Sequence, residues 1–193
     1  MTAKVMTWAL SRLAQGQRVA LASVVETAGS VPGKVGARLA MAADGQWFGT
    51  VGGAGLEMKV LQRCREHLIH HHQAFGEVLR YGLNKGAKGY EVTPLDSLCG
   101  GQVSLAIEVL IPMPHVLLMG GGHCGQALAH SLDALGWDYS VHDTRSEYSS
   151  EEMYPNAQQR SSASVKAFLE DQTLDSLGRF SDVLLLGHDW SED

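Results

Sequence analysis

The segment Gly120-Gly121-Gly122-His123-Cys124-Gly125 constrains this chain more than any other. It fits G-x-G-x-x-G, and its surroundings are those the pattern requires. An apolar run, His115–Met119, leads in, and a helical pattern over His123–Leu135 leads out. A second short strand follows at 139–142, with Asp143 at its end, about twenty residues beyond the loop. Gly120 permits the tight turn, Gly122 lets the backbone approach a pyrophosphate, and Gly125 lets helix and strand pack closely. The unpaired N–H groups and positive dipole end of the helix attract the phosphate. Asp143 is expected to accept hydrogen bonds from a ribose diol. His123 lies in the first helical turn, where the dipole disfavours imidazolium, and either donates to a ligand phosphate or caps the backbone.

Beyond this unit the chain turns serine- and threonine-rich. A helix is expected over 164–177 and a third strand over 182–186. That βαβαβ order implies a parallel sheet with right-handed crossovers. In a 3-2-1 strand order the apolar strand His115–Met119 would be an open edge with no charge to discourage pairing, so a homodimer covering it is expected.

Upstream the pattern differs. Residues 2–15 read as an amphipathic helix, with Val5, Trp8 and Leu13 near one face. Residues 18–26 are β-rich, and 37–42 with 46–51 straddle Asp44-Gly45, a strong hairpin signal. A helix follows over 54–73, then strands over 77–81 and 102–109. The last of these alternates, which implies a sheet with one covered and one wetter face. Two prolines in Ile111-Pro112-Met113-Pro114 favour an extended connector. The expected fold is therefore α/β. An N-terminal mixed α+β domain, 1–111, precedes a Rossmann-like parallel βαβαβ unit, 112–193, that lacks the later strands of a full sheet.

Composition narrows the partners. A net charge of −6 gives no footprint for nucleic acid or anionic membrane. No apolar run approaches a membrane span, and the first residues show no secretory signal. Cys64, Cys99 and Cys124 are too few and too scattered for a disulfide framework or a structural zinc site, which fits a reducing cytoplasm. His67, His70, His71 and His72 invite a metal, but their segment is otherwise polar and reads as a solvated helix face.

Four further segments carry a resemblance. They are Ser23-Val24-Val25-Glu26-Thr27-Ala28-Gly29-Ser30-Val31-Pro32, Gly36-Ala37-Arg38, Gly49-Thr50-Val51-Gly52-Gly53-Ala54-Gly55-Leu56-Glu57 and Cys99-Gly100-Gly101. Together with the glycine loop and Asp143-Thr144-Arg145, in this order and spacing, they resemble the XdhC/CoxI family of accessory factors for xanthine dehydrogenase and related molybdenum hydroxylases. The resemblance implies a non-redox factor, not a stand-alone catalyst. Such a factor binds molybdenum cofactor (molybdopterin), holds it while a cysteine-desulfurase-like sulfurtransferase acts, and delivers it to the apo-hydroxylase. The rival reading, from the fingerprint alone, is an NAD(P)- or flavin-binding oxidoreductase or a nucleotide-sensing module. Gly55 stands where many members carry a cysteine, and Leu98 precedes a single Cys99 where several carry a pair. Members usually continue well past Trp190, so the chain reads as a short form or a piece of a longer one.

The candidate residues of this reading each have a bland counterpart. Cys99, before two glycines, would contact sulfur or molybdenum, or is a small buried hydrophobe. Arg38 would clamp a phosphate or form a surface ion pair. Gly52 and Gly53 would present backbone amides to an anion. Glu57 would bind a pterin N–H edge or complement the helix dipole. Arg145 joins Asp143 as a cofactor contact through the shared motif. Cys124 reads as packing and Cys64 as structural.

Overall fold

The structure is a computed structural model that describes residues 2–83, 92–94 and 100–187. The chain divides into two compact units, Met1–Pro112 and Met113–Asp193, with the break inside the proline-bearing connector.

Among the described residues, the first unit is a six-stranded sheet with two helices. Helix α1 (Thr2–Leu13) precedes strands β1 (Val19–Ala28), β2 (Arg38–Ala42) and β3 (Trp47–Gly49). Helix α2 (Ala54–His70) then leads to β4 (Phe75–Gly82), β5 (Val92–Pro94) and β6 (Gln102–Leu110). The strand order is β3-β2-β1-β6-β4-β5, antiparallel except for the short β4–β5 pair. The Asp44-Gly45 hairpin forms as expected, with Gly45 at φ 84° and the Asp44 carboxylate accepting the Gln46 N–H at 2.8 Å. Strand alternation divides the core between the faces. Val24, Leu39 and Met41 join Leu56, Val60, Cys64 and Leu68 of α2. Val19, Leu21 and Ala40 meet Val5 and Ala9 of α1. On β6, Ser104 departs from the covered-and-wet alternation, because it is buried and its hydroxyl donates to Glu26 at 3.0 Å.

The second unit is a four-stranded parallel sheet. Strand β7 (His115–Met119), helix α3 (His123–Leu135) and β8 (Asp138–His142) form the anticipated βαβ turn. After a 3-10 turn at Ser146–Ser149 come β9 (Gln159–Ser161), α4 (Val165–Glu170), α5 (Leu174–Leu177) and β10 (Asp182–Leu185). Val116 and Leu118 pack with Ala129, Leu132, Tyr139 and Tyr154, whereas Leu117 and Met119 point the other way, onto Phe168 of α4. Helices on both faces explain why β7 is apolar at every position after its histidine.

Two expectations fail here. The helix expected over 164–177 is two short ones: Ser164 caps the first through its hydroxyl to the Ala167 N–H, and α5 starts only at Leu174. The strand order is β10-β7-β8-β9, not a three-stranded 3-2-1 sheet. A strand hidden in the polar stretch, β9, takes the third place, and β10 pairs β7 on its other side. Strand β7 is therefore central and fully paired, which removes the open-edge argument for a homodimer. The outer positions among the described strands fall to β9 and β10, and on β10 Val183 is 52% and Leu185 57% exposed.

Candidate functional site

The glycine loop is held from three sides. The Gly120 N–H donates to the His142 carbonyl at 2.8 Å, with Gly120 at φ 117°, a conformation that favours glycine. The Gly121 N–H donates to Asp143 Oδ2 at 2.9 Å, and its carbonyl accepts the hydroxyl of the fully buried Tyr154 at 2.7 Å. Gly125 does what its place in the pattern demands: a Cβ there would come within 2.4 Å of the Gly120 carbonyl oxygen. The tightest position is one the fingerprint ignores. A Cβ on Gly121 would stand 1.7 Å from the Tyr148 carbonyl oxygen, whereas one on Gly122 would meet nothing within 4 Å. The extra, middle glycine of the run was the signal for this, but nothing in the sequence tied it to Tyr148 or Tyr154.

Around the loop opens a cavity of about 550 Å³, within the range typical of small-molecule sites. Its wall includes Gly120, Gly122, His123, Cys124, His142, Asp143 and Arg145. Gly122 is the N-cap of α3 and supplies no side-chain cap, so the first-turn amides rely on solvent or a ligand. His123 and Cys124 are both exposed. The expectation that Cys124 serves packing is thus corrected, because its place in the first turn turns it toward solvent rather than the sheet.

Asp143 is buried and its carboxylate is fully engaged. Oδ1 accepts from the Arg145 N–H and Nε, both at 3.0 Å, and Oδ2 from Gly121 and Arg145 Nη2, both at 2.9 Å. That uses about all four of its acceptor positions. The Arg145 guanidinium also lies 4.1 Å from the centre of the Tyr148 ring. Burial pushes the Asp143 carboxyl upward, but the Arg145 and Gly121 hydrogen bonds outweigh it and bring its pKa down to about 2. A depressed pKa stabilises the folded state fully above the ordinary value of 3.8, and this contribution is lost as pH falls toward 2. Asp143→Asn is expected to cost on the order of 2 kcal/mol at neutral pH. The difference between the variant and the parent should shrink between pH 4 and pH 2, as followed by thermal melts across that window.

In the first unit the motif segments meet at one end of the sheet. A Cβ on Gly33 would lie 2.2 Å from the Val51 carbonyl oxygen, and one on Gly52 2.6 Å from Gly33 Cα. On Gly101 it would lie 2.5 Å from the Ala28 carbonyl oxygen and 2.6 Å from that of Ser30. Three loops far apart in sequence are thus packed backbone to backbone. Gly52 and Gly53 adopt φ of 93° and 76°, and Gly53 starts α2 without a side-chain cap. The Thr50 hydroxyl bridges them to Glu57, donating to its carboxylate and accepting the Gly52 N–H at 3.1 Å. Arg38 Nε donates to Ser23 Oγ at 3.1 Å. Cys99 lies outside the described residues. Cys64 is buried, and desolvation lifts its thiol to about 12, as befits a structural cysteine.

The histidine run is not a wholly solvated face. His67 is 3% exposed, lies tilted against the Phe75 ring at 4.6 Å and bonds Glu77 at 2.5 Å, while Arg63 clamps the same carboxylate at 2.7 and 2.9 Å. His70 and His72 do face solvent. Among the described residues, no helix is long and apolar enough to cross a membrane.

Residues 12–82 match the model of the XdhC and CoxI family, the family that the motifs of this chain resemble. The protein YqeB of Escherichia coli (strain K12), itself described as uncharacterised, is 33% identical over 143 residues. That alignment takes in 70% of this chain but only 24% of YqeB, so the chain spans about a quarter of that relative's length. A solved structure of a xanthine dehydrogenase from Bacillus halodurans aligns over 88% of this chain and 71% of its own, at 14% identity and a TM-score of 0.41.

Proposed function

We propose that the cavity beside Gly120–Gly125 binds a phosphate-bearing cofactor, and that the chain is a non-redox accessory factor in the maturation of a xanthine dehydrogenase-type molybdenum hydroxylase. The observation that carries the proposal is an uncapped helix N-terminus opening into a cavity of about 550 Å³, at a glycine, Gly122, whose side-chain space is empty. First-turn amides and the Arg145 guanidinium fit a phosphate. Cys124, exposed on the same wall, is a group of the type that ligates molybdenum. Molybdenum cofactor suits these donors: its pterin carries a phosphate, and when bound it would supply the metal centre that the hydroxylase needs.

The chain's own part is to hold and shield. The amides of His123 to Gly125 would take the phosphate, Arg145 and His123 would line its approach, and the wall around Met119 and Val165 would limit water. In the first unit, the turn at Gly52-Gly53, with Glu57 and Arg38 close by, would take a polar group of the receiving enzyme. Cys99 enters through the family resemblance alone, as the sulfur or molybdenum contact. The partners are then the apo-hydroxylase and a cysteine-desulfurase-like sulfurtransferase, in the cytoplasm. If copies associate, β10 is the edge that offers itself, not β7.

Gly122→Val is expected to leave the fold intact while weakening ligand binding at least tenfold, because the new side chain fills the space a phosphate would use. Calorimetric titration of the two forms with molybdopterin and with NAD separates the readings. Unchanged affinity for both would remove the site. Binding of NAD or a flavin, with no pterin fluorescence in the purified protein, would favour the oxidoreductase or sensor reading suggested by the dinucleotide fingerprint.

A further inference from the structure

Ordinarily the acid at the end of the second strand of such a unit receives a ribose diol. In this chain its capacity is spent. Asp143 accepts four hydrogen bonds, three of them from Arg145 and one from Gly121, which leaves it none to offer two further hydroxyls. Arg145, by contrast, uses only part of its fork. Nε and Nη2 face Asp143, and that pairing, with the ring of Tyr148 at 4.1 Å, fixes the plane of the guanidinium. Nη1 takes no part in these contacts, the side chain is 49% exposed, and Arg145 lines the cavity. A planar fork held along its Nε–Nη2 side by a carboxylate, on a half-exposed side chain that lines a cavity, fits bidentate phosphate recognition through its remaining N–H groups.

We propose that Arg145 makes the β8 end of this cavity a phosphomonoester subsite rather than a ribose-diol subsite. Arg145 is then the specificity-determining residue and Asp143 its positioning partner. The inference rests on the reading of the cavity as a cofactor site and goes further, since it names the chemical group that the ligand must present there. Two sources carry that group: the 2′-phosphate of an adenine dinucleotide, and the terminal phosphate of a pterin.

The test is calorimetric titration of the full chain with two matched pairs, NADP against NAD and neopterin monophosphate against neopterin. The expected result is that the phosphorylated member of at least one pair binds tenfold tighter or more, and the pair that discriminates identifies the source. In Arg145→Ala that preference should fall to within twofold. Where the nucleotide pair discriminates, NAD should gain affinity in the variant, because Asp143 is released to accept the diol. Equal binding within both pairs by the parent protein overturns the proposal without any variant. So does a preference that survives Arg145→Ala. If that surviving preference disappears in Gly122→Val, the phosphate belongs to the glycine loop; the cofactor-site reading then stands and the Arg145 assignment falls. No binding of any of the four probes removes both.

Discussion

Gly121→Ala is expected to destabilise the second unit by about 3 kcal/mol or more, whereas Gly122→Ala, one residue on, should be close to neutral. The contrast is steric. The Gly121 Cβ would be built 1.7 Å from the Tyr148 carbonyl oxygen and 3.4 Å from the Tyr154 ring, whereas at Gly122 nothing lies within 4 Å. The obstacle is backbone, so no rotamer change can relieve it. The loop must move away from the 3-10 turn that contains Tyr148, and such a movement breaks the Gly121 N–H bond to Asp143 and the Tyr154 hydroxyl bond to the Gly121 carbonyl together. For a unit of this size the melting temperature should fall by roughly 12 °C or more. Thermal melts followed by near-ultraviolet circular dichroism would read it, and equal melting of the two variants would show that the loop is not packed as described.

Gly33→Ala should have an effect of the same order in the first unit, about 3 kcal/mol. Its Cβ would lie 2.2 Å from the Val51 carbonyl oxygen, at the point where the loop after β1 crosses the turn before α2. Gly52, in turn, cannot give way, because it already sits against Gly33 Cα and at φ 93°. Gly55→Ala supplies the control. Gly55 lies in the first turn of α2, a Cβ there meets nothing, and replacing a helical glycine by alanine stabilises by roughly 0.5–1 kcal/mol. Urea unfolding of the three proteins should therefore rank Gly55→Ala above the parent and Gly33→Ala well below it. A Gly33→Ala midpoint equal to the parent's would mean that these two loops do not meet.

Much of the fold was legible from short-range signals. The Asp44-Gly45 hairpin, the strand β6 and the apolar β7 leading into three glycines each depend on residues a few positions apart, and each took the structure those residues favour, although Ser104 of β6 is buried. The glycine loop likewise stood out from spacing alone, as did the meeting of Asp143 with the end of β8. The XdhC/CoxI resemblance rested on the order of motifs along most of the chain, and the family model matches it over residues 12–82.

What sequence patterns could not contain was pairing at a distance. Strand β9 is three residues in a polar stretch, with no hydrophobic run to announce it; only its ladder with β8 makes it a strand. Because β9 takes the place beyond β8, β10 docks on the far side of β7, and β7 becomes the centre of the sheet instead of an edge. The same holds for the site. Local spacing supplied an acid and an arginine two residues apart, but only tertiary structure decided that the acid is consumed by the arginine and by Gly121. His67 shows the principle in the first unit: a histidine in a polar run looks solvated until Phe75 and Glu77, brought alongside by the turn after α2, bury it. Short-range chemistry determines which elements this chain can form. Which strand lies inside, and which polar group still has a hydrogen bond to offer a ligand, depends on partners that the chain brings together only when it closes.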